Sequence, residues 1–344
     1  MIPILYLALP TLGSYIMLSF FFLRRPHLLH TTRAPTFPIR LAAHRGGSGE
    51  RLENTMEAIE NSMAQRADIL ELDCQLTRDG VVVVSHDKNL SRQSGLNKDV
   101  DSLDFQELPL YKTELEIYFS PGHFAHGSDR HMIRLEDIFQ KFPRIPAIVE
   151  IKEKNEELIH KVANLARSFD RSEITIWASE KNSIMRKCKA ANPDMPMAFT
   201  ILRSIWILLL YYLGLLPFVS IPEKFFLCFL PTIINRTYFP FSCGWMNQLS
   251  AAVTKWVIMR KSLIQYLQDR GVQVRTLTLP QQGAGSRYIP GSTISITLQS
   301  EVDRLGRIPP LSLSFFAYKM QRMSQAVVVQ PLNLALGRQR QVEL

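Results

Sequence analysis

The sequence has few of the features that mark several common protein classes. Its four cysteines, Cys74, Cys188, Cys228 and Cys243, are scattered over 344 residues. They show neither zinc-ligand spacing nor a disulfide framework, which fits a reducing compartment. The chain carries a formal net charge of +9, yet it has no contiguous basic face interleaved with aromatic residues and no known nucleic-acid-binding module. Nucleic acid is therefore not expected as a partner, and the function has to be sought elsewhere in the chain.

The first 24 residues differ in composition from the rest of the chain. Residues 1–23 carry no charge and are followed by Arg24-Arg25-Pro26, and about 23 apolar residues are enough to span a bilayer. We therefore predict a transmembrane anchor over residues 1–24. A cleaved signal peptide is the competing interpretation, but it would begin with a charged segment and end at a small-residue cleavage site, and neither is present.

The side of the membrane that holds the remaining chain stays open at this point. The positive-inside rule places Arg24 and everything after it in the cytosol. Against this, Asn89-Leu90-Ser91 and Asn235-Arg236-Thr237 are glycosylation acceptors if the domain is lumenal. Basic residues such as Arg24-Arg25 favour contact with an anionic membrane surface.

Two short segments predict strands that end in chemically active residues. The apolar segment 39–43 leads into His44-Arg45 and the glycines Gly46-Gly47, as a buried strand entering a loop does. In residues 67–74, Glu71 and Asp73 are two apart and share one face of a strand. Two carboxylates on one face repel each other unless a cation lies between them, so this pattern predicts a metal site. The alternative is a solvated edge strand with two surface acids.

Three further motifs follow the same logic. The β-branched run Val81–Val84 predicts a strand buried on both sides that delivers His86-Asp87 at its end. Glu150 and Lys152 share a face of a strand over residues 147–152, where a surface salt bridge is the alternative. Glu53-Asn54-Thr55 opens a predicted helix, either as a simple N-terminal cap or with Glu53 and Asn54 also facing a ligand. Parallel α/β folds collect their active sites at the carboxyl ends of strands, so we expect these motifs to meet.

These motifs, in this order and spacing, resemble the glycerophosphodiester phosphodiesterase family and, within it, the membrane-bound branch with lysophospholipase D activity. The resemblance extends from about Met1 to Val274. It implies an α/β fold, a TIM-type (β/α)8 barrel with the site at the carboxyl ends of its strands. The matching residues are His44-Arg45-Gly46, Glu53-Asn54-Thr55, Glu71-Leu72-Asp73, His86-Asp87 and Glu150-Ile151-Lys152.

The resemblance also implies a role for each of these residues. The implied catalytic residues are His44, His86 and Arg45, with the histidines as the acid/base pair. The implied metal ligands are Glu71, Asp73, His86 and Glu150. The implied substrate- and phosphate-binding residues are Glu53, Asn54 and Lys152. Oxygen ligands of this kind suit Ca²⁺ or Mg²⁺ as the divalent metal cofactor.

The implied function is metal-dependent hydrolysis of lysophospholipids to lysophosphatidic acid and the free headgroup alcohol. Lysophosphatidylcholine, lysophosphatidylethanolamine and N-acyl forms of the latter are the expected substrates, at endoplasmic reticulum or perinuclear membranes. Two alternatives stay open: hydrolysis of water-soluble glycerophosphodiesters, and a catalytically impaired protein that binds lipid without turning it over.

The predicted barrel covers residues 39–274. Two segments inside it and one segment after it complete the predicted organisation. Residues 88–134 are an insertion. Residues 203–234 are expected to form a hydrophobic loop that contacts the membrane at the barrel mouth and guides an acyl chain, with a second membrane span as the alternative. Residues 275–344 are a tail that departs from the family pattern, so the barrel is expected to be incomplete at its C-terminal strand.

Overall fold

Parallel strands and helices alternate along the chain in the computed structural model, which describes residues 2–32, 37, 39, 41–117, 122–229 and 242–277. The helices are α1 Ile2–Arg24, α2 Met56–Ala64, α3 Leu135–Lys141, α4 Glu156–Ser168, α5 Asn182–Ala191, α6 Ile201–Tyr212, α7 Gly244–Val253 and α8 Lys261–Asp269. The strands are β1 Ala42–Ala43, β2 Ile69–Leu76, β3 Val82–Val84, β4 Glu114–Glu116, β5 Phe124–His126, β6 Ala147–Glu150, β7 Thr175–Ala178, β8 Phe225–Phe229 and β9 Gln273–Leu277.

The parallel strands neighbour one another in the order in which the chain reaches them. β1, β2, β6 and β7 form one parallel path. Met197 and Ala198 extend it by parallel bridges to Trp177 and Phe225, and β8 then pairs with β9. Together these seven segments have the sequential topology of a TIM-type barrel, as predicted. The predicted shortfall at the last strand concerns residues beyond Leu277, which lie outside the described part of the chain.

Alternate residues of the parallel strands face two different apolar layers. One face of each strand fills the barrel interior, as in the cluster containing Ile69, Ile148, Ile176 and Phe225. The opposite face packs against the helices, in a cluster that contains Leu70, Leu72, Val149 and Trp177. Successive strand residues point to opposite faces, so Glu71 and Asp73 share the interior face with Ile69, one and two steps nearer the carboxyl end of β2.

The run of valines forms a strand, but not one of the parallel set. β3 pairs antiparallel with β2, with Cys74 opposite Val84. The prediction of a parallel third strand is wrong because the connection through Arg78-Asp79-Gly80 is a tight turn, whereas parallel neighbours need a crossover of a dozen or more residues. The hairpin still carries His86 to the site, since the Ser85 backbone N–H donates to the Asp73 carbonyl at 2.9 Å.

The insertion over residues 88–134 has its own small core. β4 and β5 form an antiparallel hairpin within it. Leu90, Val100, Tyr111 and Leu115 pack together with Val83 of β3. Residues 118–121, between β4 and β5 in sequence, lie outside the described residues. The insertion is therefore anchored on the strand that leads to His86.

Helix α1 covers the predicted anchor. In the part of the chain that the structure describes, no helix combines the length and the apolar character needed to cross a membrane. The prediction of a transmembrane anchor over residues 1–24 is therefore not supported. The helix contains Pro10, and its Tyr15 and Ser19 hydroxyls donate to the carbonyls of Leu213 and Gly214, so these polar side chains are used in packing against the chain after α6.

The described residues of 203–234 do not form the predicted loop, whereas their predicted contact with a membrane stays a prediction. The first part lies in α6, which Thr200 caps by accepting a hydrogen bond from the Arg203 backbone N–H, and which buries Ile207 and Leu210. A later part forms β8, whose Phe225 lies in the barrel interior. Composition alone does not distinguish a hydrophobic loop from apolar residues that are buried on one face of a helix or inside the barrel. Residues 230–234 lie outside the described part of the chain.

Candidate active site

The turn after β1 places His44 and Arg45 at the edge of the acidic strand. Arg45 has a left-handed backbone, with φ of 48°, and its N–H donates to Glu71 Oε2 at 2.8 Å. Gly46 follows with φ of 71°, and a Cβ at this position would come within 2.9 Å of Ile59 Cγ1 on α2. The turn therefore needs a glycine here, both for its conformation and for the close approach of the helix.

Three carboxylates meet where β2 and β6 end. The parallel register places Asp73 directly beside Glu150. Each of Glu71, Asp73 and Glu150 offers an oxygen within 4.8 Å of the others. The sequence pattern predicted the shared face of Glu71 and Asp73, and the strand register adds Glu150 to it. The structure thus brings together three of the four residues predicted as metal ligands.

The electrostatics of the three carboxyl groups differ. Burial, together with the charges of Asp73 and Glu150, raises the pKa of Glu71 well above its ordinary value. Burial and Asp73 also raise the pKa of Glu150, to about 7. Burial acts in the same direction on Asp73, but neighbouring cations led by Lys152 outweigh it and lower the pKa. Lys152 Nζ lies 2.7 Å from Asp73 Oδ1, which explains this difference.

His44 lies against the same cluster. Its Nε2 is 3.9 Å from Glu71 Oε2. Burial, reinforced by the charge of Arg45, lowers the pKa of His44 to about 3. The imidazole is therefore neutral at pH 7 in this arrangement, with a lone pair on one of its ring nitrogens.

His86 reaches the site from the end of β3 and is held by its neighbour in sequence. Its Nδ1 lies 2.6 Å from Asp87 Oδ1. Hydrogen bonds from His86 and Arg92 lower the pKa of Asp87 despite its burial, so this carboxylate only accepts, and the ring nitrogen donates. In the neutral ring, Nε2 then carries the lone pair. The prediction of His86 as a fourth metal ligand stays a prediction.

Glu53 and Arg45 form a buried ion pair beneath the acidic cluster. Arg45 Nη1 donates to Glu53 Oε2 at 2.9 Å, and Arg45 Nε lies 3.9 Å from Asp73 Oδ2. Burial would raise the pKa of Glu53, but Arg45 and Arg92 lower it. The Arg45 side chain is only 3% exposed, so its charge is largely committed to these carboxylates.

The side-chain amide of Asn54, a predicted site residue, is buried without a hydrogen-bond partner among the described residues. The residue has a left-handed backbone, with φ of 57°, and is fully buried. Neither its amide nitrogen nor its amide oxygen has a hydrogen-bond partner among the described residues. An unsatisfied buried amide is costly, and a substrate oxygen would satisfy it. Thr55, next in the chain, caps α2 by accepting from the Ala58 N–H, so the capping interpretation holds for Thr55.

Arg92 and Gln93 are site residues that sequence reasoning missed. Arg92 Nε donates to Asp87 Oδ2 at 2.6 Å, and its Nη2 donates to Glu53 Oε1. Gln93 Nε2 donates to the same Glu53 oxygen at 3.2 Å. Both lie in the insertion, whose polar residues gave no periodic signal. The closeness of Arg92 to His86-Asp87 in sequence is the one clue that would have pointed to it.

The residues present fit a divalent cation. Leaving the histidines aside, the site gathers the carboxyl groups of Glu53, Glu71, Asp73, Asp87 and Glu150 around the cations Arg45, Arg92 and Lys152. With all five carboxyl groups ionised, two negative charges remain in excess. The raised pKa values of Glu71 and Glu150 mark the two carboxyl groups that the three cations do not neutralise. Carboxylate oxygens suit a hard cation with a double positive charge.

A cavity of about 690 Å³ opens beside this cluster. Arg92 forms part of its wall, and the rest comes from residues 112–117 and Phe124 of the insertion, including Leu115 and Ile117. The cavity thus combines charged and apolar lining next to the groups that hold His86.

The comparisons with known proteins agree with this geometry. Residues 44–206 match the model of the Glycerophosphoryl diester phosphodiesterase family. Over 274 residues the chain is 85% identical to the Mus musculus protein named Lysophospholipase D GDPD3, covering 80% of this chain and 83% of that protein. It is 76% identical over 271 residues to the Homo sapiens protein of the same name, covering 79% and 85%. It is 39% identical over 274 residues to Mus musculus Lysophospholipase D GDPD1, covering 80% and 87%.

Solved structures are similar at lower identity. The crystal structure of a glycerophosphodiester phosphodiesterase from Agrobacterium tumefaciens is 18% identical, with a TM-score of 0.48 and coverage of 70% of this chain and 86% of that one.

Proposed function

The chain belongs to the glycerophosphoryl diester phosphodiesterase family, and we propose that it is a metal-dependent lysophospholipase D. It hydrolyses lysophospholipids to lysophosphatidic acid and the free headgroup alcohol. Lysophosphatidylcholine, lysophosphatidylethanolamine and N-acyl forms of the latter are the proposed substrates. The relatives at 85% and 76% identity carry the name lysophospholipase D. The observation that carries the proposal is the convergence of Glu71, Asp73 and Glu150 beside His44.

Glu71, Asp73 and Glu150 hold the divalent cation in this proposal, and Ca²⁺ and Mg²⁺ are its two candidates. When bound, such a cation polarises a phosphodiester oxygen and offsets developing negative charge. Lys152 is placed to share that task, because its ammonium already lies 2.7 Å from Asp73 and its side chain is 28% exposed, against 3% for Arg45. Arg45 therefore acts mainly by orienting the turn and Glu53, with a weaker direct role in phosphate binding than Lys152.

The two histidines carry the protons. The free glycerol hydroxyl beside the phosphate attacks phosphorus, one imidazole takes its proton, and the other protonates the oxygen of the departing headgroup alcohol. A cyclic phosphate results, and water opens it with the roles of the histidines reversed. Asp87 fixes the ring of His86 through Nδ1, as a carboxylate does for the histidine of a catalytic triad. An internal nucleophile needs no capture from solution, which lowers the barrier by several kcal/mol.

Asn54 completes the phosphate or glycerol site in this scheme. Its buried amide would donate to a substrate oxygen and accept from the glycerol hydroxyl, which satisfies both groups at once. Glu53 lies next to it and holds Arg45 in place. Glu53 therefore supports the site from below rather than touching the substrate.

A lipid substrate is supported by the surface next to the site. The first turns of α6 expose Ile201, Leu202, Ile205 and Trp206, a set that shares one face of a helix. Glu180 follows the carboxyl end of β7, and its carbonyl accepts a hydrogen bond from the Ile201 N–H at 3.3 Å. The helix therefore begins at the same end of the barrel as the acidic cluster. We propose that this face rests on a membrane, that of the endoplasmic reticulum or perinuclear envelope, and that lysolipid enters from it.

Turnover of two substrates by one preparation tests the function. Purified full-length protein is incubated with lysophosphatidylcholine or with glycerophosphocholine, and choline release is measured with Ca²⁺, Mg²⁺ or a chelator. We expect metal-dependent release from lysophosphatidylcholine, little from glycerophosphocholine, and none from a His44→Ala variant. Preferred hydrolysis of glycerophosphocholine would move the function to water-soluble diesters. Binding of lysolipid without choline release under any metal condition would refute the enzymatic proposal.

A further inference from the structure

A continuous chain of charged groups joins the two ends of the site. It runs from Arg45 to Glu53, from Glu53 to Arg92, from Arg92 to Asp87, and from Asp87 to His86. Its first member belongs to the turn after β1, and its last follows β3. Arg92 lies in the insertion and donates to both sides, to Asp87 and to Glu53. The two halves of the site are therefore held relative to each other by an insertion residue.

The bonds of Arg92 use the geometry of a guanidinium group. Its Nε reaches Asp87 at 2.6 Å, while Nη1 and Nη2 both face Glu53, with Nη1 at 3.4 Å. A planar fork presents donors in two directions at once, which a single ammonium cannot do. The interaction lies in a partly buried setting, since the Arg92 side chain is 34% exposed and that of Glu53 only 5%.

The two carboxylates that Arg92 contacts, Asp87 and Glu53, each bind a second residue of the site. Asp87 fixes the ring of His86 through Nδ1 at 2.6 Å. Glu53 fixes the guanidinium of Arg45 at 2.9 Å. Gln93 and Ser85 add neutral support, because Gln93 Nε2 donates to Glu53 and the Ser85 hydroxyl donates to Gln93 Oε1 at 3.0 Å. Without Arg92, Asp87 would lose a charged partner and be free to turn away from His86.

We propose that Arg92 is a positioning residue: its guanidinium bridges Asp87 and Glu53, sets the orientation of the His86 ring relative to Arg45, and so makes the insertion a structural part of the active site. This inference rests on the proposed function for its kinetic consequences. Its structural consequence, the fixed His86–Asp87 hydrogen bond, does not depend on the substrate. Arg92 also lines the 690 Å³ cavity, so small solutes can reach the position.

The matched control is another arginine that bridges two acids. Arg78 bonds to Asp104 at 2.8 Å and to Glu107 at 2.9 Å, with its side chain 53% exposed. It resembles Arg92 in bonding but does not touch the residues of the site. Arg92→Ala, Arg92→Lys and Arg78→Ala are compared for kcat and KM on lysophosphatidylcholine and on a chromogenic phosphodiester, with and without added guanidinium at a concentration that leaves the melting temperature unchanged.

We expect Arg92→Ala to lower kcat about 100-fold with KM changed less than about threefold, the size of effect seen when reacting groups are misplaced by about 1 Å. Guanidinium should restore a large part of the lost rate, and Arg92→Lys should fall between the wild type and Arg92→Ala. Arg78→Ala should match the wild type. An unchanged kcat in Arg92→Ala, or a loss that guanidinium does not reverse, overturns the proposal.

A spectroscopic readout separates this proposal from the proposed function. With ¹⁵N-labelled histidine, the His86 Nδ1 proton should give a downfield resonance, assigned by its absence in His86→Gln. It should be lost or shifted in Arg92→Ala and kept in Arg78→Ala. If the wild-type protein releases no choline, the lysophospholipase proposal fails, but loss of this resonance still supports the role of Arg92. A resonance unchanged in Arg92→Ala overturns that role whatever the substrate.

Discussion

Replacing Glu150 by glutamine should make the protein more stable when no divalent cation is present, although it removes a residue of the site. In the absence of a cation, Glu150 lies beside Asp73 in the strand register and within 4.8 Å of Glu71. Burial and Asp73 raise the pKa of Glu150 from 4.5 to about 7. Above pH 7 the folded protein must therefore hold a charge that the unfolded chain holds at no cost.

The size of the effect follows from this shift. At 1.36 kcal/mol for each pKa unit, the charged form of Glu150 costs the folded state roughly 3 kcal/mol. Glu150 is partly exposed, and solvent screening reduces this cost, so we expect a gain of about 1 to 3 kcal/mol in the free energy of unfolding for Glu150→Gln. At about 2–4 °C for each kcal/mol in a domain of 150–250 residues, and less in a longer chain, the melting temperature should rise by several degrees.

Adding the cation should offset the stability advantage of the variant. A ligand at 100 times its Kd stabilises the folded state by about 2.7 kcal/mol, and the wild type should gain this while Glu150→Gln gains much less. Thermal unfolding is followed at pH 8 in chelator and in excess Ca²⁺ or Mg²⁺. Glu157→Gln, on an exposed part of α4, serves as the control because its side chain is 63% exposed. A variant that melts below the wild type in chelator, or equal metal-induced shifts in both proteins, would refute the reasoning.

Three other outcomes follow from the same structure. His86→Ala should lower kcat by about 10²–10⁴-fold, because a proton carrier is lost; choline release measures this, and near-normal turnover would remove His86 from the mechanism. The pKa of Glu53 is lowered, so its stabilising contribution is present above the unfolded-state pKa and is lost as the pH falls through its folded pKa. Glu53→Gln should therefore be less stable at pH 7 and lose less stability between about pH 5 and 3 than the wild type in denaturant titrations; parallel pH profiles would contradict this. Leu202→Ser with Trp206→Ser should reduce binding to phospholipid vesicles in flotation assays without changing the melting temperature, and equal binding would show that α6 does not face lipid.

The acidic cluster shows how far local pattern reaches. The alternation in β2 was enough to predict that Glu71 and Asp73 share a face, because side-chain direction in a strand depends only on counting by two. The same rule applied to residues 147–152 placed Glu150 and Lys152 together. The pattern did not give the distances between β2 and β6, because these depend on the register of the two strands. The pairing of Asp73 with Glu150 in that register brings the third carboxylate to the other two.

The errors have a common physical origin. The run Val81–Val84 predicted a strand correctly but not its direction, which the short turn before it decides. Apolar residues over 203–234 predicted a loop, yet Ile207 is buried on helix α6 and Phe225 lies in the barrel interior. Hydrophobicity records that a residue avoids water, and it does not record which apolar partner the residue finds.

The sequence by itself determined the elements of the site: the glycine that the turn at Gly46 requires, the shared face of Glu71 and Asp73, and the cap at Thr55, all of which depend on neighbours a few residues away. Only the tertiary structure decided that Arg92 bridges Asp87 to Glu53, residues separated by 34 positions along the chain. Such a bridge leaves no periodic trace, because a long-range ion pair needs only that two distant segments end at the same place, and the packing of the barrel and its insertion sets that place.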